Sequence, residues 1–192
     1  MVRVCAVSPY PMSQRLLERY VGGVLKGMAT VKACSRDEFD PSECDVAVVY
    51  AESPTQKVFA RKYRDLKIVG IRFTIQAAGV RALAHLPPGS RVGVVADHHE
   101  CANMLLREIL DSGVFEPRFV SGAFSDMDSM QVDAFAVAEE MDSILWTKYS
   151  GPREKVIVLP RSLFPSSVAE IISAVMHIES QVNLDLALKK SS

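Results

Sequence analysis

The sequence is written twice. Residues 1–73 return in residues 89–161 with their elements in the same order. Arg3-Val4-Cys5-Ala6-Val7 reappears 88 residues on as Arg91-Val92-Gly93-Val94-Val95, and Lys67-Ile68-Val69 as Lys155-Val156-Ile157. Leu16-Leu17-Glu18-Arg19-Tyr20-Val21 aligns with Leu105-Leu106-Arg107-Glu108-Ile109-Leu110, and Asp45-Val46-Ala47-Val48-Val49 with Asp142-Ser143-Ile144-Leu145-Trp146. A chain built twice from one α/β unit is expected to make two lobes, and a cleft between lobes is where small molecules bind.

Short β-branched runs alternate with helical periodicity, the pattern of parallel strands joined by crossover helices. Strands are predicted at 2–8, 29–34, 45–50, 67–72, 90–96, 117–121, 142–147 and 155–159. Helices are predicted near 11–25, 54–64, 74–85, 98–112, 127–139 and 165–180, with Gly113 as a left-handed cap. Residues 180–192 read as a short helix and a frayed end. The expected fold is α/β: two similar lobes, each a parallel sheet flanked by helices, with hinge crossovers. Lobe 1 takes residues 1–73 and 163–192, and lobe 2 takes 74–162.

Composition narrows the function. With 192 residues, 48% hydrophobic and 23% charged, the chain has the make-up of a globular protein with a substantial core. A net charge of −1 lacks the basic excess of a nucleic-acid surface, so no direct nucleic-acid contact is expected. No apolar run approaches the roughly 18 residues of a membrane span. Met1 leads into a strand rather than a signal peptide, so a cytoplasmic location with Cys5, Cys34, Cys44 and Cys101 as reduced thiols is expected. Cys5 reads as a packing residue.

In open parallel sheets, ligands sit beyond the carboxyl ends of the strands. The predicted strands therefore nominate Ser8 and Tyr10, then Glu52, Ser53 and Thr55, then Arg72 and Thr74. The second copy adds Asp97 and His98, then Lys148, Tyr149 and Ser150, then Arg161. Ser53-Pro54 fits a helix start, with serine as cap and proline in the first turn; its amides and hydroxyls suit a carboxylate or phosphate. Thr74 and Ser162 read as further caps, and Asp97 with Glu100 as a capping-box-like pair. Lys148, Arg161 and Arg72 would supply positive charge for an anion. Trp146 is expected in the sheet core. Adjacent His98 and His99 point to different helix faces, so no metal is expected there, nor any cofactor.

The stretch Ile71-Arg72-Phe73-Thr74-Ile75-Gln76, followed by Leu86-Pro87-Pro88-Gly89-Ser90-Arg91-Val92-Gly93-Val94-Val95, resembles the middle of effector domains in GntR-type bacterial transcription regulators. Residues 154–172 are similar to their closing strand and helix. The sensor domain of PrpR-type propionate-catabolism activators shares the order of elements. The resemblance implies a periplasmic-binding-protein-like fold and a small-molecule sensor. Those regulators begin with a winged helix-turn-helix where Met1 here leads into a strand, so an isolated sensor domain or a stand-alone relative is expected. The duplicated architecture is also that of aspartate/glutamate racemases, which use one cysteine from each half. The stretches aligned with those motifs, Tyr50–Thr55 and Thr147–Ser150, contain no cysteine.

The leading expectation is a cytoplasmic sensing domain of a transcription regulator. It would bind a small organic anion in the interlobe cleft and act as a homodimer, with no catalytic residue. Apolar residues on the last helix, including Val168, Ile172 and Met176, are available for association. The alternative is a racemase- or isomerase-like enzyme acting on a small carboxylic acid, with Glu52, His98 or Lys148 as acid and base.

Overall fold

The computed structural model describes residues 1–190. It divides into two compact units, Met1–Arg72 with Leu163–Ser192, and Phe73–Ser162. The chain is α/β with two four-stranded parallel sheets flanked by helices.

In the first unit the strands are β1 (Val2–Val7), β2 (Ala29–Cys34), β3 (Val46–Tyr50) and β4 (Lys67–Ile71), in the order β2-β1-β3-β4. Strand β3 is buried at all five positions and β1 at five of six. They therefore show no polar alternation, as expected of central parallel strands covered on both faces. Helix α1 (Pro11–Val24) starts on a proline and buries Leu16, Leu17 and Val21. Helix α2 (Pro54–Lys62) buries Phe59 among Cys5, Val7, Phe39, Ala47 and Val49 on one face of the sheet. Phe39, Phe59 and Tyr63 stack there with centroids 4.7 to 5.2 Å apart. Helix α6 (Pro165–Lys190) joins this unit through the buried Ile171, Ala174 and Val175. It runs unbroken where a helix to 180 and a second short one are predicted; the expected frayed end, residues 191–192, lies outside the described residues.

The second unit repeats the order. Its sheet is β7 (Arg118–Ala123), β6 (Arg91–Ala96), β8 (Ala134–Ala138) and β9 (Val156–Leu159), ordered β7-β6-β8-β9. Helix α4 (His99–Asp111) buries Ala102, Leu105 and Ile109. It ends in a Schellman motif: Gly113, at φ 83°, donates to Leu110, and Val114 to Ile109. Helix α3 (Ala77–Ala84) and a two-stranded sheet of β5 (Phe73–Ile75) with β10 (Arg161–Leu163) complete the set.

Strand registers in the two units match at one constant offset of 88. Val4 faces Val46 as Val92 faces Ala134, and Val7 faces Cys34 as Val95 faces Gly122. That constancy corrects two alignments. The buried Leu17 and Val21 of α1 correspond to the buried Leu105 and Ile109 of α4, one place earlier than the aligned leucines imply. The counterpart of Asp45–Tyr50 is Asp133–Ala138, not Asp142–Trp146. Residues 142–148 form helix α5, and the predicted helix at 127–139 is a 3-10 turn (Phe124–Ser129) followed by β8. Ala134-Phe135-Ala136-Val137-Ala138 carries three alanines, good helix formers, and burial on both faces overrides that propensity.

Candidate functional site

In both parallel sheets the order in which strands are added reverses between the two central strands, so the switch points lie beyond the ends of β1 and β3 in one unit and of β6 and β8 in the other.

In the first unit that edge is built from Ser8, Tyr10, Glu52, Ser53 and Thr55. Ser8 is 2% exposed: its hydroxyl accepts from the Tyr10 N–H at 3.3 Å, and its carbonyl accepts from Gln14 Nε2 at 2.9 Å. Tyr10 caps α1 by backbone position and supplies no side-chain bond to the first turn. Ser53 does cap α2, accepting from the Gln56 N–H at 3.2 Å and donating to the Tyr50 carbonyl at 2.6 Å. Thr55 is buried in the first turn of α2.

Between them, Glu52 takes a left-handed backbone at φ 61°, the one non-glycine residue to do so among those described. Such a conformation is strained for a side chain with a Cβ, and strain of this kind concentrates at functional sites. The fold secures it. The Glu52 N–H donates to Gln56 Oε1 at 2.6 Å, and Gln56 lies where Gly70 of β4 has no side chain; a Cβ there would meet Gln56 Nε2 at 2.2 Å. Glycine at position 70 and the strained turn at position 52 are thus one construction.

Arg72 follows β4 with its side chain exposed, 5.7 Å over the Phe164 ring, while its N–H donates to the buried Ser167 hydroxyl at 2.9 Å. In the second unit Thr74 lies within β5 and Ser162 within β10, so neither is a helix cap; the cap of α3 is Gln76.

The corresponding edge of the second unit is acidic. Asp97 follows β6, with one buried carboxylate oxygen lacking a hydrogen-bond partner and the other 3.9 Å from His98 Nε2. The cap of α4 is His98, not Asp97, and it makes no side-chain capping bond. His99 reaches Asp126 at 3.1 Å. After β8 comes Glu139-Glu140, placing Glu140 where the first unit has Glu52. Among the described residues no group of three His, Cys, Asp or Glu is disposed to hold a metal ion.

Lys148, Tyr149 and Ser150 do not follow a strand. Lys148 is exposed in the last turn of α5, and Tyr149 packs edge-on against Phe135 at 5.4 Å, where burial raises its phenol above the ordinary range. Trp146 lies on the same helix, stacked under Arg153 at 4.6 Å. Val137, not Trp146, is the counterpart of Val49.

Arg161 is a buried structural cation. Its Nη1 donates to both Glu108 oxygens at 3.0 and 2.8 Å, Nη2 pairs with Glu140, and the guanidinium stacks 4.9 Å over Phe73. All three charged side chains are at most 10% exposed. Burial pushes the Glu108 carboxyl up, against the pull of Arg161. The strand-end rule nominates Arg161 for an anion because it follows the predicted strand at 155–159, whereas the structure places it in β10 and neutralises it with two carboxylates that are distant in sequence.

No family model matches the chain, and no curated protein or solved structure gives a significant match. No helix among the described residues is long and apolar enough to cross a membrane.

Proposed function

We propose that this chain is a small-molecule sensing domain that takes a small organic anion at the carboxyl edge of the first unit's sheet. The observation that carries the reading is the strained Glu52 at the switch point, between the starts of α1 and α2. Helix starts favour negative charge, and the half-buried Tyr10 and exposed Glu52 stand beside the buried Ser8, Ser53 and Thr55 at the ends of β1 and β3. A ligand carboxylate would lie against the helix starts, and Glu52 would accept from a hydroxyl or amino group of the same molecule. This reading does not call on Arg161, which is paired with two carboxylates, or on Lys148, which ends a helix of the second unit.

The likeness of residues 71–95 to effector domains of GntR-type regulators supports a sensing role in transcription control, in which the ligand biases a homodimer. A sensor needs differential affinity between two states and no nucleophile–base pair.

The test is native mass spectrometry of the purified chain for a retained anion, followed by thermal denaturation against a panel of hydroxy, amino and simple carboxylic acids. A ligand at a hundred times its Kd adds about 2.7 kcal/mol, and Tyr10→Phe and Glu52→Gln should weaken that gain. A flat response across the panel overturns the reading. Deuterium incorporation at the carbon next to a carboxylate, lost in Glu52→Gln, would instead make the chain an isomerase.

A further inference from the structure

Three of the four cysteines come together in the first unit. Cys5 is on β1. Cys34 ends the neighbouring edge strand β2 in register with Val7, two residues along from Cys5, so both side chains fall on one face of the sheet. Cys44 follows the 3-10 turn at Pro41–Glu43 and is packed into the same apolar cluster. Cys34 and Cys44 both pack against Cys5 in that cluster. Hydrogen bonding with these two thiols, then the charges of Lys32 and Arg3, draws the Cys5 thiol below the ordinary range against the opposing effect of burial. The same coupling pushes Cys34 and Cys44 up. A cavity of about 440 Å³ is lined by Cys5 and Cys34 together with the cations Arg3 and Lys32 and the carboxylates Glu38, Asp40 and Glu43.

Packing does not require sulfur at these places. The equivalent positions in the second unit, at the same offset of 88, are Gly93, Gly122 and Val132. The same topology and register form there without a thiol, so the cluster is an addition to the fold.

We propose that Cys5 is a site of reversible oxidation by a hydroperoxide, with Cys34 as the resolving thiol. The assignment to Cys34 over Cys44 rests on the cavity, which it shares with Cys5, and on its place at the end of an edge strand. There a movement toward Cys5 disturbs only the last pairing of the ladder, Cys34 with Val7, and the bond the Cys34 carbonyl accepts from the Ser8 N–H. The Cys5 thiolate attacks one peroxide oxygen, the O–O bond breaks, and the departing oxygen takes a proton to leave as water or an alcohol. Cys5 is then a sulfenic acid, oxidised by two electrons. The Cys34 sulfur, losing its proton, attacks the Cys5 sulfur; the S–O bond breaks and the oxygen leaves as a second water. The net change is two thiols and one hydroperoxide to one disulfide, with the peroxide reduced.

The fully reduced chain is treated with graded hydrogen peroxide, quenched with a thiol-blocking reagent and mapped by peptide mass spectrometry without reduction. A Cys5–Cys34 disulfide is expected to form roughly tenfold faster than any change at Cys101, which is also buried but lies outside the cluster. In Cys34→Ser, a dimedone-reactive sulfenic acid should accumulate at Cys5. In Cys5→Ser, the remaining thiols should react no faster than Cys101. Oxidation of Cys101 at the same rate as Cys5, or a Cys5 left reduced while other thiols react, overturns the proposal. A Cys5–Cys44 disulfide overturns the choice of Cys34. The map of the unmutated chain decides these points even if a variant fails to fold.

Discussion

The main-chain N–H of Arg91 donates to the carboxylate of Asp133 at 2.7 Å, and the Asp133 N–H donates back to the Arg91 carbonyl at 2.8 Å. Arg3 and Asp45 exchange the same two bonds at 2.8 and 2.9 Å, across the same separation of 42 residues. Each pair ties the entry of the third strand to the start of the first, one residue before the ladder begins on either side. In a parallel sheet a slip of one residue would turn every side chain to the wrong face, so a polar clamp at this point holds the register of the central strands. The Arg3 side chain adds a fork, with Nη2 2.7 Å and Nε 3.2 Å from the two Asp45 oxygens.

Removing either clamp should cost stability in its own unit. Asp45→Ala and Asp133→Ala are each expected to lose about 1–2 kcal/mol in urea denaturation at neutral pH, the range for a charge-assisted hydrogen bond at a partly exposed site. For Asp45 the loss depends on pH. Hydrogen bonding from Arg3 holds its carboxyl below the ordinary value of 3.8, so its stabilisation is complete above that value and disappears as pH falls through the lower, folded value. The gap between the unmutated chain and Asp45→Ala should therefore close in acid. A gap that persists unchanged at pH 2 would mean that the carboxylate is not the source.

The Glu108–Arg161–Glu140 group obeys the opposite sign. Burial raises the Glu108 carboxyl above 4.5, so the folded state binds that proton more tightly than the unfolded chain. Its contribution is fully present below the unfolded value and is lost as pH rises through the folded one. Glu108→Gln should flatten this decline and stay within about 1 kcal/mol of the unmutated chain at neutral pH, since an amide oxygen still accepts from Arg161. Arg161→Met leaves two carboxylates buried without their cation, at a cost of about 3–5 kcal/mol. Adding Glu108→Gln and Glu140→Gln to it should restore most of that loss in thermal or urea melts.

Most strands, the crossover helices and the carboxyl-edge rule are legible in the residue pattern, because Val- and Ile-rich runs and a Ser-Pro helix start are local signals. The misplaced third strand of the second unit shows where locality ends. Ala134–Ala138 has no β-branched residue except Val137, whereas Asp142-Ser143-Ile144-Leu145-Trp146 mimics the Asp-plus-apolar run of β3. What identifies the true strand is its pairing: Gly93 opposes Phe135, and a Cβ at position 93 would meet that ring at 2.8 Å. The first unit solves the same spot with Cys5 opposite Ala47. The thiol cluster and the Arg161 group escaped sequence reasoning for the same cause, since their members are brought together only by strand order.

Gly70 carries a prediction about how the site is held. Alanine there would drive Gln56 from its place and crowd the Ala51 Cα at 3.2 Å, for an expected loss of about 1–3 kcal/mol. Gln56→Ala removes the flexible obstacle, so the same glycine change should cost less in that background. A coupling of about 1 kcal/mol between the two, measured as a double-mutant cycle, would confirm that Gly70 acts through Gln56. Strict additivity would refute it.

Glu52 allows stability and binding to be separated. A left-handed backbone costs a residue with a Cβ about 1–2 kcal/mol, and glycine avoids this while losing part of the gain to its freer unfolded chain. Glu52→Gly should therefore raise stability by about 0.5–1 kcal/mol without ligand. Under the sensing reading it should also lower the extra stabilisation given by an anionic ligand, because the carboxylate that meets the ligand's polar group is gone. Glu52→Ala keeps most of the strain and removes the same carboxylate. It should bind as weakly as Glu52→Gly while remaining no more stable than the unmutated chain. If both variants bind as well as the parent, the strain at this turn serves the fold alone and the ligand lies elsewhere.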